Sequence, residues 1–286
     1  MKKNLAALTV QCPKCPAGWQ QEKGMICEHG ALERNDTIFF TEESATMGIP
    51  VIRPDIFDPH LWSSLRQAEW IYYQSRLQNI DRRSIVLDVG AGDGVFRSLF
   101  KDFENYVTVD FLPFPGIDLV ADLTKRWPIR DQSIDVLIAS NSFEHLPNTV
   151  HVLEECFRVL KPGGRLMVVI PFLLAVHQKP HDYVRHTFLL WERLLSEMGF
   201  DATEISPLGS VYSVHQTTRN KMFQYLYTVE PFKRSWQNKL WQSCAKLLHR
   251  VIKAIEATMF PVFFRFAPSD PDFTEGYAFT ARKKSF

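Results

Sequence analysis

The stretch Ile85-Val86-Leu87-Asp88-Val89-Gly90-Ala91-Gly92-Asp93-Gly94-Val95-Phe96 decides the fold. Its first half is a short apolar run rich in β-branched residues, which reads as a buried strand. The strand breaks at Asp88 into a turn with glycine at every second position, and a helix is expected to follow. Because Gly90, Gly92 and Gly94 have no Cβ, the backbone can bend sharply and a ligand can lie against bare amides at the carboxyl end of the strand. Open α/β sheets bind their cofactors there.

The spacing of the glycines narrows the ligand. A dinucleotide fingerprint runs G-x-G-x-x-G, and Val95 stands where its third glycine belongs. The D-x-G-x-G-x-G form of Asp88 to Gly94 instead resembles the first motif of the class I S-adenosylmethionine-dependent methyltransferases, of the methyltransferase type 11 kind. The resemblance continues through Tyr106-Val107-Thr108-Val109, a strand ending in Asp110, and Asp118-Leu119-Val120-Ala121, ending in Asp122. A fourth strand, Ile134 to Ala139, runs into the loop Ser140-Asn141-Ser142-Phe143-Glu144-His145-Leu146. The helix Leu153 to Leu160, the turn Lys161-Pro162-Gly163-Gly164 and a fifth strand, Arg165 to Ile170, complete the series.

That resemblance implies a Rossmann-like α/β fold with a seven-stranded sheet and S-adenosylmethionine as cofactor. Gly90, Gly92 and Gly94 would cradle its methionyl portion and Asp88 would help bind the ammonium. Asp110 would take the ribose and Asp122 the adenine, with Leu123 and Ser140 beside them. The matching segment covers roughly residues 84–206.

Composition sets outer limits. An apolar fraction of 45% over 286 residues is enough for a buried core. With 33 Lys plus Arg against 32 Asp plus Glu, no global basic field points to nucleic acid as substrate. Met1 to Val10 briefly looks like a signal peptide, but its apolar run is too short, and it reads as the first strand. No uninterrupted apolar stretch reaches the roughly 18–20 residues needed to span a bilayer. Five cysteines, an odd number, fit a reducing compartment, so a cytoplasmic protein is expected.

Cys12-Pro13-Lys14-Cys15 is a C-x-x-C knuckle, with Cys27 and His29 about a dozen residues later. Four such groups could close a tetrahedral zinc site, although Gly30 occupies the place where a second C-x-x-C would end. Residues 1–55, ending in Met47-Gly48-Ile49-Pro50-Val51-Ile52, resemble zinc-ribbon-like modules of the tRNA-methyltransferase-activator type. The module could hold structural zinc or keep its shape without metal. Residues 56–83 carry a helix from Leu61 to about Leu77 whose broad apolar face either covers the cofactor or docks the ribbon.

After the fifth strand come His177 and Pro180-His181-Asp182-Tyr183-Val184-Arg185-His186-Thr187. This H-D-Y-x-R-x-T run resembles a stretch of methyltransferases from bacterial polysaccharide and lipopolysaccharide gene clusters. Methylating a hydroxyl requires a proton to leave, and histidine is the usual base. His181 is the first candidate and His145 the second. Alternatively, Asp182 and Arg185 simply pair on a first helical turn and Thr187 caps the helix Leu189 to Met198.

The sixth strand, near Gly199 to Ile205, and the seventh, Tyr277 to Ala281, are separated by a helical insertion, residues 207–275; residues 276–286 hold the last strand and tail. In the insertion Leu240, Trp241, Cys244, Leu247, Leu248, Val251, Ile252, Ile255 and Met259 recur at helical spacing, with Lys239, Lys246, Arg250 and Lys253 on another face. Residues 239–266 suit an anionic lipid interface at the inner face of a membrane, a lid, or a dimer contact. Methyl transfer to oxygen on a sugar, glycan or lipid-linked small acceptor is the leading expectation. An RNA or protein methyltransferase, or a non-catalytic S-adenosylmethionine-binding scaffold, are the alternatives; the sequence leaves the oligomeric state open.

Overall fold

The structure, a computed structural model, describes residues 10–15, 19–20, 24–25, 32–34, 37–40, 62–264 and 269–285. Among these, strands β1 (Trp19–Gln20) and β2 (Gly24–Met25) pair with each other, antiparallel. Nine more strands form one sheet: β3 (Leu32–Arg34), β4 (Thr37–Phe39), β5 (Ile85–Val89), β6 (Asn105–Asp110), β7 (Leu119–Val120), β8 (Ile134–Ser140), β9 (Leu160–Pro171), β10 (Phe200–Leu208) and β11 (Gly276–Lys283). Their order is β10-β11-β9-β8-β5-β6-β7-β4-β3. The strands from β4 through β9 pair in parallel across the centre, and β11 runs antiparallel to both β9 and β10.

The expected count of seven strands is corrected to nine. The two additions, β3 and β4, come from the segment read as a separate N-terminal module. β7 has only two residues and would leave its outer edge unpaired. Ile38 and Phe39 lie alongside Leu119 and Val120, the Ile38 amide donates to the Asp118 carbonyl at 2.8 Å, and the Thr37 hydroxyl donates to the Ile117 carbonyl at 2.7 Å. Cys12 is buried and Cys15 half-buried, whereas Cys27, His29 and Met47 to Ile52 lie outside the described residues.

Side chains of the central strands alternate between two covered faces, which is why those strands read as continuous apolar runs. Leu87, Val89, Val107, Val109, Leu137 and Val168 face one layer with α2 (Thr149–Val159) and α3 (Phe188–Glu197). Val86, Val136, Ile138, Met167 and Val169 face the other, with Leu65, Tyr72, Tyr73 and Leu77 of α1 (Ser64–Leu77). Ser63 caps α1, accepting from the Arg66 amide at 3.2 Å. The helix expected directly after the glycine bend is one 3-10 turn, Arg97–Phe100. Strand β6 starts at Asn105, so the chain must return to the sheet before a longer helix can form.

Helices α4 (Val211–Thr228) and α5 (Ser235–Phe264) stand between β10 and β11. Glu275, 1% exposed, ties α4 to the core: it accepts from Ser64 at the start of α1 at 2.9 Å and from Thr217 of α4 at 2.5 Å. Among the described residues no helix is long and apolar enough to cross a membrane.

Candidate active site

The bend after β5 separates the glycines by what each one meets. Gly90 has φ +71°, and a Cβ there would lie 2.3 Å from Cβ of Ser142. Ser142, in the loop after β8, donates to the Val89 carbonyl at 2.9 Å, so the ends of β5 and β8 close on each other without room for a side chain. Gly92 is different. Its φ is +53°, but a Cβ would meet nothing nearer than the Gly90 carbonyl oxygen at 4.0 Å, so the space above it is open. Gly94, φ +75°, lies under Arg97, which donates to the Gly116 carbonyl at 2.8 Å.

Asp110, at the tip of β6, reaches back to this bend. One carboxylate oxygen accepts the Gly92 amide at 2.8 Å and the other accepts the Leu112 amide at 2.8 Å. Burial raises its pKa, and the two amides oppose the rise. Each oxygen can accept twice, so both retain capacity for a pair of neighbouring hydroxyls. Asp122, just past β7, accepts from the Thr124 hydroxyl at 2.6 Å and pairs with Lys125 at 2.9 Å. Burial works to raise its pKa, but Thr124 and Lys125 outweigh it and hold the carboxyl ionised. Leu123 beside it is buried.

Asp88 sits inside the layer on the α1 side of the sheet, 5% exposed, and accepts a hydrogen bond from the Tyr106 hydroxyl. Burial pushes its pKa up to about 7, with the Tyr106 hydrogen bond opposing. Ser140 ends β8 next to Ala139, whose carbonyl accepts from the Tyr73 hydroxyl at 3.1 Å.

A polar cluster follows β8. Glu144 and His145 lie in a 3-10 turn, Phe143–His145, and Glu144 is fully buried. His177, from the loop after β9, brings its Nε2 to 3.6 Å from Glu144 Oε1, as does His145. The Glu144 carboxylate beside it raises the His177 pKa against the opposing effect of burial. Glu69 of α1, 1% exposed, accepts from the Asn141 amide, and burial lifts its carboxyl to about 8. Glu69 Oε2, Asn141 Oδ1, both Glu144 oxygens and His145 Nε2 are buried without a hydrogen-bond partner. Native interiors rarely leave such groups unpaired, so the cluster is built to meet something polar.

His181 is exposed, and its ring nitrogen shares a hydrogen bond with the Tyr183 hydroxyl at 2.9 Å. Its backbone carbonyl, rather than its ring, enters the cluster, bonded to His145 Nδ1. Asp182 and Arg185 do pair, at 2.6 Å, but in a loop and not on a helical turn. Burial works to raise the Asp182 pKa, yet Arg185 and His177 hold it down at about 2. Thr187 occupies the N-cap of α3 without a side-chain capping bond. Sequence reasoning did not single out Glu69, named Asn141 and Glu144 only as part of the loop after the fourth strand, and named His177 only within the polar run after the fifth. One signal was available: Glu69 falls among Leu65, Tyr72 and Tyr73 on the apolar face of α1, where a lone carboxyl needs a reason.

Comparison with known proteins gives the following. Residues 87–168, less than a third of the chain, match the family model described as methyltransferase domain. A methyltransferase-like protein of Schizosaccharomyces pombe is 33% identical over 101 residues, covering 32% of this chain and 39% of that one. A Mycolicibacterium smegmatis protein named "Probable S-adenosylmethionine-dependent methyltransferase" is 29% identical over 128 residues, 41% of this chain and 48% of that one. The chain spans less than half the length of these curated relatives. A solved structure of Haemonchus contortus phosphoethanolamine N-methyltransferase 2 with S-adenosyl-L-methionine aligns with TM-score 0.48 and 15% identity, over 81% of this chain and 55% of that one.

Proposed function

We propose that the chain transfers a methyl group from S-adenosylmethionine to an oxygen atom of a sugar, glycan or lipid-linked small acceptor. The observation that carries the first half is the 2.8 Å bond between Asp110 and the Gly92 amide, which joins the acid tip of β6 to the open glycine bend after β5. The open face of Gly92 admits the methionyl portion against backbone amides, Asp88 serves the ammonium, Asp110 the ribose hydroxyls and Asp122 the adenine amino group. Leu123 and Ser140 flank the adenosyl part. When bound, the cofactor supplies a sulfonium-activated methyl group, so much of the acceleration comes from holding the acceptor oxygen in line.

The acceptor's proton needs a destination. With its Nδ1 turned to the His181 carbonyl, His145 carries its proton there and presents a lone pair on Nε2. His145 therefore takes precedence over His181 as the base, and His181 acts by fixing the tautomer of His145.

The outer face of α5 supports a lipid-associated acceptor. The side of α5 that packs toward α4 is largely polar, with Asn238 and Glu256 buried and Glu256 paired with His215 at 2.8 Å. Its apolar stripe points outward: Leu240 is 57% exposed, Leu247 63%, Val251 46% and Met259 56%. Lys239, Lys246, Arg250 and Lys253 are exposed along an adjoining flank. An amphipathic helix that hides its polar side and offers an apolar stripe edged with lysine and arginine suits an anionic membrane surface.

Incubating the protein with methyl-labelled S-adenosylmethionine and separate lipid, glycan, RNA and protein fractions tests the reading, with Asp110→Ala as control. Label is expected in the lipid or glycan fraction and absent with the variant. Label in RNA alone would overturn the acceptor class.

A further inference from the structure

The cluster of Glu144, His145 and His177 has a geometry that a general base alone does not require. Glu144 Oε1 lies 3.6 Å from Nε2 of His145 and 3.6 Å from Nε2 of His177, and the three donor groups fall within 4.8 Å of one another. That spacing is close to the span of two ligands each about 2.1 Å from one ion at a tetrahedral or slightly wider angle. Glu144 is fully buried and neither of its oxygens has a hydrogen bond, an arrangement that is costly for a carboxylate unless a positive partner completes it.

The outer nitrogens of both rings are held as they are around metal ions. His145 Nδ1 faces the His181 carbonyl, which can only accept. His177 Nδ1 lies 3.3 Å from Asp182 Oδ2. A carbonyl or carboxylate on Nδ1 places the ring proton there and leaves the Nε2 lone pair for an ion. Arg185 Nη2, with two hydrogens, lies 3.3 Å from His177 Nδ1 as well as 2.8 Å from Asp182 Oδ2, so His177 Nδ1 has both a donor and an acceptor beside it. Nε2 of both rings faces the same Glu144 oxygen.

We infer that Glu144, His145 and His177 bind a divalent cation of the zinc, manganese or iron(II) class. Two imidazoles and one carboxylate are a donor set that such ions accept, and three protein ligands leave positions open. The part this site plays in catalysis rests on the methyl-transfer reading. An acceptor hydroxyl brought to the cation gives up its proton to water, the new O–C bond forms as the C–S bond breaks, and the sulfonium becomes a neutral thioether. His145 is then a ligand in place of the base, and the cation lowers the hydroxyl's pKa so that water can take the proton.

Titrating the metal-free full chain with Co2+, in a Cys12→Ser/Cys15→Ser background that removes half of the N-terminal cysteine and histidine set, tests the site by its visible absorption. One equivalent is expected to bind, with a spectrum lacking thiolate charge transfer and with Zn2+ displacing it. Glu144→Gln and His177→Ala should each abolish saturation, and Asp182→Asn should weaken affinity by about 10–100-fold, as loss of an outer-shell partner does. His181→Ala, which keeps the carbonyl, should bind as before. Variants that misfold leave the decision to the parent titration. Parent protein that takes up no Co2+, or binds it only with thiolate character, overturns the inference. Uptake of S-adenosylhomocysteine, measured on the same samples, separates the two ideas: binding of that compound without Co2+ removes the metal site alone, and Co2+ binding without it removes the methyl-transfer reading alone.

Discussion

Gly90 and Gly92 are two residues apart and equally strained for an L side chain, yet they should fail in different ways. At Gly90 a methyl group meets Ser142 at 2.3 Å as well as carrying the positive φ. Gly90→Ala is therefore expected to cost about 3 kcal/mol of stability, combining backbone strain with overpacking. Gly92→Ala should cost only about 1–2 kcal/mol, since its Cβ has room, and should instead weaken cofactor binding. Urea unfolding beside calorimetry distinguishes them, and equal stability losses would contradict the packing argument. Asp88 offers a second test at this scale. The unfolded chain ionises this carboxyl at pH ~4, while burial holds the folded form protonated up to about 7. Its stabilising contribution is full below the unfolded pKa and is lost as pH rises through the folded one, so the unfolding free energy should fall between those values. Asp88→Asn should flatten that part of the curve, and a variant curve parallel to the parent's would refute the assignment. The glycine bend and its acids were legible in the sequence because each is a local pattern. The clash at Gly90 was not, because Ser142 is brought to it from another strand.

At the scale of elements, α5 is the helix whose surroundings contradict the usual rule. Its heptad-like apolar positions were readable, but which side faces the core depends on α4, where Arg219 and His215 draw Glu256 inward. Replacing Leu247 and Val251 with glutamate removes apolar surface worth roughly 2 kcal/mol per side chain and adds charge against an anionic bilayer. Sedimentation with phosphatidylglycerol vesicles should fall at least tenfold for this double variant and leave the fold unchanged. Parent protein that ignores vesicles and elutes as a dimer would assign the stripe to a second copy. The extra strands at the other edge were hidden for a related reason. Thr37-Ile38-Phe39 reads as a strand anywhere, and only the short, uncovered β7 makes it the eighth strand of the sheet, with β3 as the ninth beyond it. The loop from His177 to Thr187 was similarly half legible: its residue types announced a functional segment, while its fold turned His181 outward and His177 inward.

For the whole molecule, the sheet order places β5, β6 and β8 side by side, so the glycine bend, Asp110 and the loop that carries Ser142, Glu144 and His145 share one edge. The Rossmann-like sheet was legible through the motif resemblance that runs from Asp88 to Ile170, whereas the acceptor pocket depends on loops that sequence patterns constrain weakly. The account stands on that edge being a socket for an adenosyl sulfonium compound. Calorimetric titration of the full chain with S-adenosylmethionine and S-adenosylhomocysteine tests it most directly: one molecule of either should bind per chain, with affinity at least tenfold weaker in Asp110→Ala, whereas a folded parent protein that gives no binding heat with either compound would contradict it.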